Sequence, residues 1–98
     1  MKESYIRQKA VKILKDWGCL VWYPAKIKYK ENDIFGIYDL VVIDEKGTRW
    51  IQLTTLSNIS ARKKKILDKF KLYPQLKQLN SQVWGYDKTK HLFKIICL

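Results

Sequence analysis

One carboxylate interrupts the most apolar segment of the chain: Asp39, within Ile37-Tyr38-Asp39-Leu40-Val41-Val42-Ile43. A charge is costly to bury there unless it is hydrogen-bonded, paired or bound to a metal ion. Strand alternation sets Ile37, Asp39, Val41 and Ile43 on one face. The turn residues Asp44-Glu45-Lys46-Gly47 fold this segment back on residues 48–56 as a hairpin. With Asp44 paired to Gly47, Asp39 stands opposite Gln52 and Ile37 opposite Thr54, on one face. The register therefore predicts an acid, an amide and a hydroxyl together on an otherwise apolar hairpin, provided the turn adds no extra residue. Two further acids are candidates for the same group. Asp33 precedes the strand in Asp33-Ile34-Phe35-Gly36, where glycine permits a sharp bend. Glu3 lies three and seven residues before Ile6 and Ala10, on the apolar stripe of the first helix. Each has a plainer role open to it. Glu3 is equally a first-turn acid favoured by the helix dipole, and Asp33 a turn residue. Thr54 suits any strand, Gln52 can bond a neighbour, and Asp39 can pair with a lysine.

The elements that must position these residues follow from periodicity and breakers. Ile6, Ala10, Ile13, Leu14 and Trp17 recur at helical spacing over residues 4–17, and Gly18 stops that helix. Residues 19–23 read as a strand ended by Pro24. Ala25, Ile27 and Tyr29 then alternate with Lys26, Lys28 and Lys30, a half-exposed strand or extended arm with one basic face. After the hairpin, Ser57, Asn58 and Ser60 are candidate caps for a second helix with the face Ile59, Ile66, Phe70 and Tyr73, and Leu67 alongside. Pro74 breaks it. Residues 82–86 and 92–96 are strands joined by Asp87-Lys88-Thr89-Lys90. The expectation is a single domain, residues 1–98, of α/β class: a mixed sheet flanked by helices in the order α-β-β-β-α-β-β. No glycine-rich phosphate loop follows any strand.

Charge narrows the partners. Twenty Lys and Arg against nine Asp and Glu leave a net +11 on 98 residues that are 47% hydrophobic. That is enough apolar material for a core, so disorder is excluded, and the positive field calls for an anionic partner. Five of the nine acids, Glu31, Asp33, Asp39, Asp44 and Glu45, fall near the central hairpin. Arg62, Lys63, Lys64, Lys65, Lys69, Lys71 and Lys77 crowd the second helix and its end, with only Asp68 among them. Lys26, Lys28 and Lys30 form the second basic stripe. This separation suits phosphate backbone contact, without base readout. The longest apolar run, Leu40-Val41-Val42-Ile43, is far short of the roughly 20 residues of a membrane helix. The amphipathic start and the two cysteines outside any metal-binding spacing, Cys19 and Cys97, lead to an expectation of a cytoplasmic protein with buried thiols. Trp22, Trp50 and Trp84 are expected in the core or in a dimer contact rather than as stacking platforms.

The run from Gly36-Ile37-Tyr38-Asp39 to Val42-Ile43, the segment Trp50-Ile51-Gln52-Leu53-Thr54-Thr55 and the basic helix after it resemble the PD-(D/E)XK nuclease superfamily. Archaeal-type Holliday junction resolvases and their small phage and bacterial relatives are the nearest likeness, with a degenerate Gln-x-Thr motif. The resemblance implies a restriction-endonuclease-like fold and a metal-dependent endonuclease that cuts DNA in preference to RNA as a homodimer, with magnesium or manganese. It makes Asp39 the motif acid and Glu3 the acid of the first helix. Gln52 then takes the place of the second acid, and Thr54 that of the lysine. Asp39, Gln52 and Glu3 would hold the metal, and Lys26, Lys28, Lys30, Arg62, Lys63, Lys64, Lys65 and Lys69 the nucleic acid. The departures matter chemically. Gln52 offers a neutral oxygen and Thr54 offers no cation. Either neighbours replace them, Glu3 or Asp33 for the acid and a lysine of the second helix for the cation, or the domain binds nucleic acid without cutting it.

Overall fold

The computed structural model describes residues 3–24 and 33–98, the side chains of residues 3 and 4 excepted. Lys26, Lys28 and Lys30, the expected basic arm, lie outside the described residues. Helix α1 spans Glu3–Asp16. Its residues Ile6, Ala10 and Leu14 are buried at four-residue intervals, the stripe an amphipathic helix turns toward a sheet. Gly18, at φ +81°, ends it, and the Cys19 N–H donates back to the Leu14 carbonyl at 3.0 Å. The strands are β1 Leu20–Trp22, β2 Leu40–Asp44, β3 Gly47–Thr55, β4 Ser81–Asp87 and β5 Leu92–Cys97. Helix α2, Ile59–Leu72, joins β3 to β4.

Among the described residues the five strands make one mixed sheet in the order β1-β2-β3-β4-β5, an α/β arrangement with two α-helices. All neighbours are antiparallel except β3 and β4, whose parallel pairing requires the crossover that α2 provides. Alternation on β3 and β4 divides the core. Ile51, Leu53 and Trp84 pack with Leu40, Val42 and α1. Val83 packs on the other face with Ile37, Tyr38 and the α2 residues Ile66 and Phe70. Among the described residues no helix is long and apolar enough to cross a membrane.

The hairpin register is the one expected, with Asp44 against Gly47 and Leu40 against Ile51. Its start is not. The strand begins at Leu40 rather than Ile37, because residues 34–38 close into a tight turn. Phe35 and Gly36 are left-handed there (φ 54° and 72°), and Ile34 and Tyr38 exchange backbone hydrogen bonds of 2.8 and 3.0 Å. Ile37 is consequently buried under α2 instead of lying in the ladder opposite Thr54.

Other expectations are corrected in the same way. Asn58 occupies the α2 cap position without a side-chain cap bond, while the Ser57 hydroxyl meets that of Thr55 at 3.3 Å. Leu67 and Tyr73 are exposed, since Ile66 and Phe70 already cover the sheet. Two 3-10 turns, Leu56–Asn58 and Pro74–Gln78, interrupt the expected element order, the second started by a proline that α2 cannot accommodate. Cys97 is exposed on the edge strand β5 and Cys19 is half-buried, so the thiols are not both interior. Of the tryptophans, Trp84 is buried, Trp50 half-buried and Trp22 exposed.

The parallel junction depends on a glycine. A Cβ at Gly85 would fall 2.3 and 2.4 Å from Cδ1 and Cγ1 of Ile59 and 3.3 Å from the Leu56 Cα. Gly85 thus lets the start of α2 lie directly on the sheet, beside its register partner Thr54. Gly85→Ala is expected to destabilise the domain by about 1–3 kcal/mol through overpacking. Urea unfolding measures the loss, and adding Ile59→Ala should recover part of it. An unchanged midpoint for Gly85→Ala would show that the close approach is not required.

Candidate functional site

Asp39 stands where the chain leaves the turn at 34–38 and enters β2. Its N–H donates to the Ile51 carbonyl at 2.8 Å, extending the ladder one residue beyond the strand. Past that point β3 continues without a β2 partner, and the N–H of Leu53 must be satisfied some other way. The Asp39 carboxylate does this: Oδ2 accepts the Leu53 N–H at 2.7 Å and the Gln52 Nε2–H at 3.0 Å. Hydrogen bonds to an ionised acceptor are about twice as strong as neutral ones. They explain how a carboxylate only 8% exposed is tolerated beneath a basic helix.

Gln52 completes the pair. It is 3% exposed, and its Nε2 also points toward the Leu53 carbonyl at 3.4 Å. Among the described residues its buried Oε1 has no hydrogen-bond partner. An unsatisfied buried oxygen costs on the order of 1–3 kcal/mol, and native structures rarely tolerate one without a use for it. Thr54 is buried on the same face of β3, two residues on. The sequence-predicted trio is therefore assembled: acid and amide in direct contact, hydroxyl alongside.

The other candidates stand differently. Glu3 is the first residue of α1, and its side chain lies outside the described residues. Asp33 opens the turn, its backbone carbonyl accepting the Gly36 N–H at 3.1 Å, as a turn residue would. Among the described residues, no three His, Cys, Asp or Glu side chains gather as a metal cluster would require. A cation here would be held by the Asp39 carboxylate and the Gln52 Oε1, with water and phosphate oxygens completing an all-oxygen shell. Magnesium accepts such a site, since it commonly binds through one or two carboxylates plus substrate phosphate. The orphaned oxygen of Gln52 fits that donor set.

The presentation of Asp39 rests on aromatic packing that periodicity did not reveal. The Trp50 ring lies between Phe35 and Tyr38, with centroids 5.8 and 5.9 Å away. The Tyr38 hydroxyl bonds that of Ser81 on β4, across the sheet, and burial raises the Tyr38 pKa despite that bond. Together these fix the turn on which Asp39 is carried. The one advance signal was the aromatic content of Phe35, Tyr38 and Trp50 flanking the motif.

The basic residues expected on the second helix lie on α2. Lys63, Lys64 and Lys71 are exposed, while Arg62, Lys65 and Lys69 are half-buried. Lys64 pairs with Asp68 at 2.9 Å and holds that carboxyl below its ordinary pKa. At the edge of the sheet, β1 leaves Leu20 and Trp22 exposed beside Ile43. Comparison of the chain with models of known families, with curated proteins and with solved structures finds no match.

Proposed function

We propose that this domain is a metal-dependent endonuclease of nuclease-like fold acting on the phosphodiester backbone of DNA. The observation that carries the reading is the buried contact between Asp39 and Gln52, whose Oε1 has no partner among the described residues, on the sheet face that α2 overlies. Magnesium or manganese bound there would act as a Lewis acid on a phosphoryl oxygen and activate water. Asp39 and Gln52 supply the oxygens that hold it, and Glu3 is the third ligand in this reading. Thr54 orients a hydroxyl at the site but brings no charge. The cations of α2 bind the backbone and steer it to the acid, with no base readout. Selectivity for a branched structure such as a Holliday junction belongs to the same proposal.

A second reading has its own support. The Asp39 Oδ2 already holds together the hairpin through Leu53 and Gln52, which is a sufficient structural reason for the acid. On that reading the domain grips nucleic acid without cutting. A homodimer in a reducing cytoplasm is also proposed, supported by the exposed Leu20, Trp22 and Ile43 and by two unpaired thiols.

The discriminating experiment incubates the protein with branched and linear DNA in magnesium, manganese or EDTA, and measures binding across a salt series. Nicking that requires the ion is the expected result. Salt-dependent binding that is indifferent to EDTA, with no nicking on any substrate, would establish the binding module instead. Sedimentation of the same preparation reads the oligomeric state.

A further inference from the structure

The cations of α2 fall into two sets with different surroundings. Lys63, Lys64 and Lys71 stand in solvent, and Lys64 is partly neutralised by Asp68. Arg62, Lys65 and Lys69 recur at i, i+3 and i+7, which makes them one stripe of the helix. All three are half-buried, the state of a long side chain whose stem packs while its head reaches out. Among the described residues none of the three has a carboxylate partner. The stripe is about 10 Å long, close to three base-pair steps of a duplex at about 3.4 Å each.

Lys69 is the member placed toward the site. Its Nζ lies 3.9 Å from where a first side-chain carbon would stand on Gly36. The ammonium therefore rests over the turn at 34–38 that delivers Asp39. The Tyr73 ring, 5.7 Å from the same nitrogen, backs it. Beneath it, Ile66 and Phe70 of α2 cover Ile37 and Tyr38, the two residues before Asp39. On β3, Thr54 is buried two residues from Gln52 and carries no charge to offer a phosphate.

We propose that Lys69 supplies from α2 the cationic contact to the phosphate beside Asp39 that Thr54 cannot supply from β3, while Arg62 and Lys65 hold neighbouring phosphates. The effect on cleavage rests on the nuclease reading; the phosphate contact does not.

Single-turnover cleavage in manganese and salt-dependent DNA binding are measured for the full chain and for Lys69→Met, Lys69→Arg and Lys94→Met, the last an exposed lysine of β5. Lys69→Met should slow cleavage about 100-fold, with Lys69→Arg recovering most of the rate and Lys94→Met within about threefold of the parent. The slope of log affinity against log salt should fall by about 0.9 for Lys69→Met. If the parent cuts and Lys69→Met cuts equally well, the assignment of Lys69 is overturned and the nuclease reading stands. If the parent does not cut but the slope falls for Lys69→Met alone, the nuclease reading is overturned and the phosphate contact stands. A slope unchanged in Lys69→Met overturns the contact itself.

Discussion

Asp39→Asn is expected to slow cleavage by about 1,000-fold or more while leaving the domain folded. The loss is of the order seen when one preorganised electrostatic contact to a reacting centre is removed. The fold survives because the amide can take over both hydrogen bonds. The Asn oxygen replaces Oδ2 as acceptor for the Leu53 N–H and the Gln52 Nε2–H, now held at 2.7 and 3.0 Å. For these two bonds the cost is the exchange of charge-assisted bonds for neutral ones, about 1–2 kcal/mol. Asp39→Ala behaves differently. It leaves the Leu53 N–H and the Gln52 amide unsatisfied in the interior, a penalty of about 1–3 kcal/mol for each group. Single-turnover cleavage and urea unfolding on both variants separate the two functions of the acid. If Asp39→Asn cuts at the parent rate, Asp39 serves only to hold the hairpin, and the binding module becomes the better description.

That contrast also shows why the site was partly legible in the sequence. The register that puts Asp39 beside Gln52 follows from the four turn residues and from the single-residue shift that would carry the whole apolar set to the wrong face. Both are properties of composition and spacing. The entry into the strand is not. Phe35 adopts a left-handed conformation that a bulky residue seldom takes, and no alternation pattern announces it. Alternation therefore predicts a strand three residues longer than the one that forms, Leu40–Asp44. The partnerless Oε1 of Gln52 was equally hidden, because it depends on which way a buried amide faces after β4 has paired with β3. The division of the α2 cations was present in the spacing of Arg62, Lys65 and Lys69. It became meaningful only once Ile66 and Phe70 defined which flank the sheet half-covers.

Gln52→Glu restores the acid that the resemblance expects, and its effect on stability should depend on the metal. The substitution is nearly isosteric and sets a second carboxylate where Nε2 now lies 3.0 Å from the Asp39 Oδ2. Two buried carboxylates at that distance cannot both ionise without a cation, so one of them has its pKa raised in the folded state. An acid whose folded pKa lies above its unfolded value adds stability below the unfolded pKa, about 4 for these side chains. That contribution is lost as pH rises through the folded pKa. In EDTA, Gln52→Glu should therefore unfold close to the parent at acidic pH and be weaker by about 3 kcal/mol at pH 8. Manganese or magnesium at pH 8 should return much of that stability, because an ion that binds only the folded state stabilises it by mass action. The same variant should cut about tenfold faster than the parent, since the shell then carries a second negative ligand. Thermal unfolding across pH, with and without the ion, checks the first two expectations. A pH-independent loss that the ion does not relieve would mean that position 52 faces no cation, and that Gln52 serves the hairpin alone.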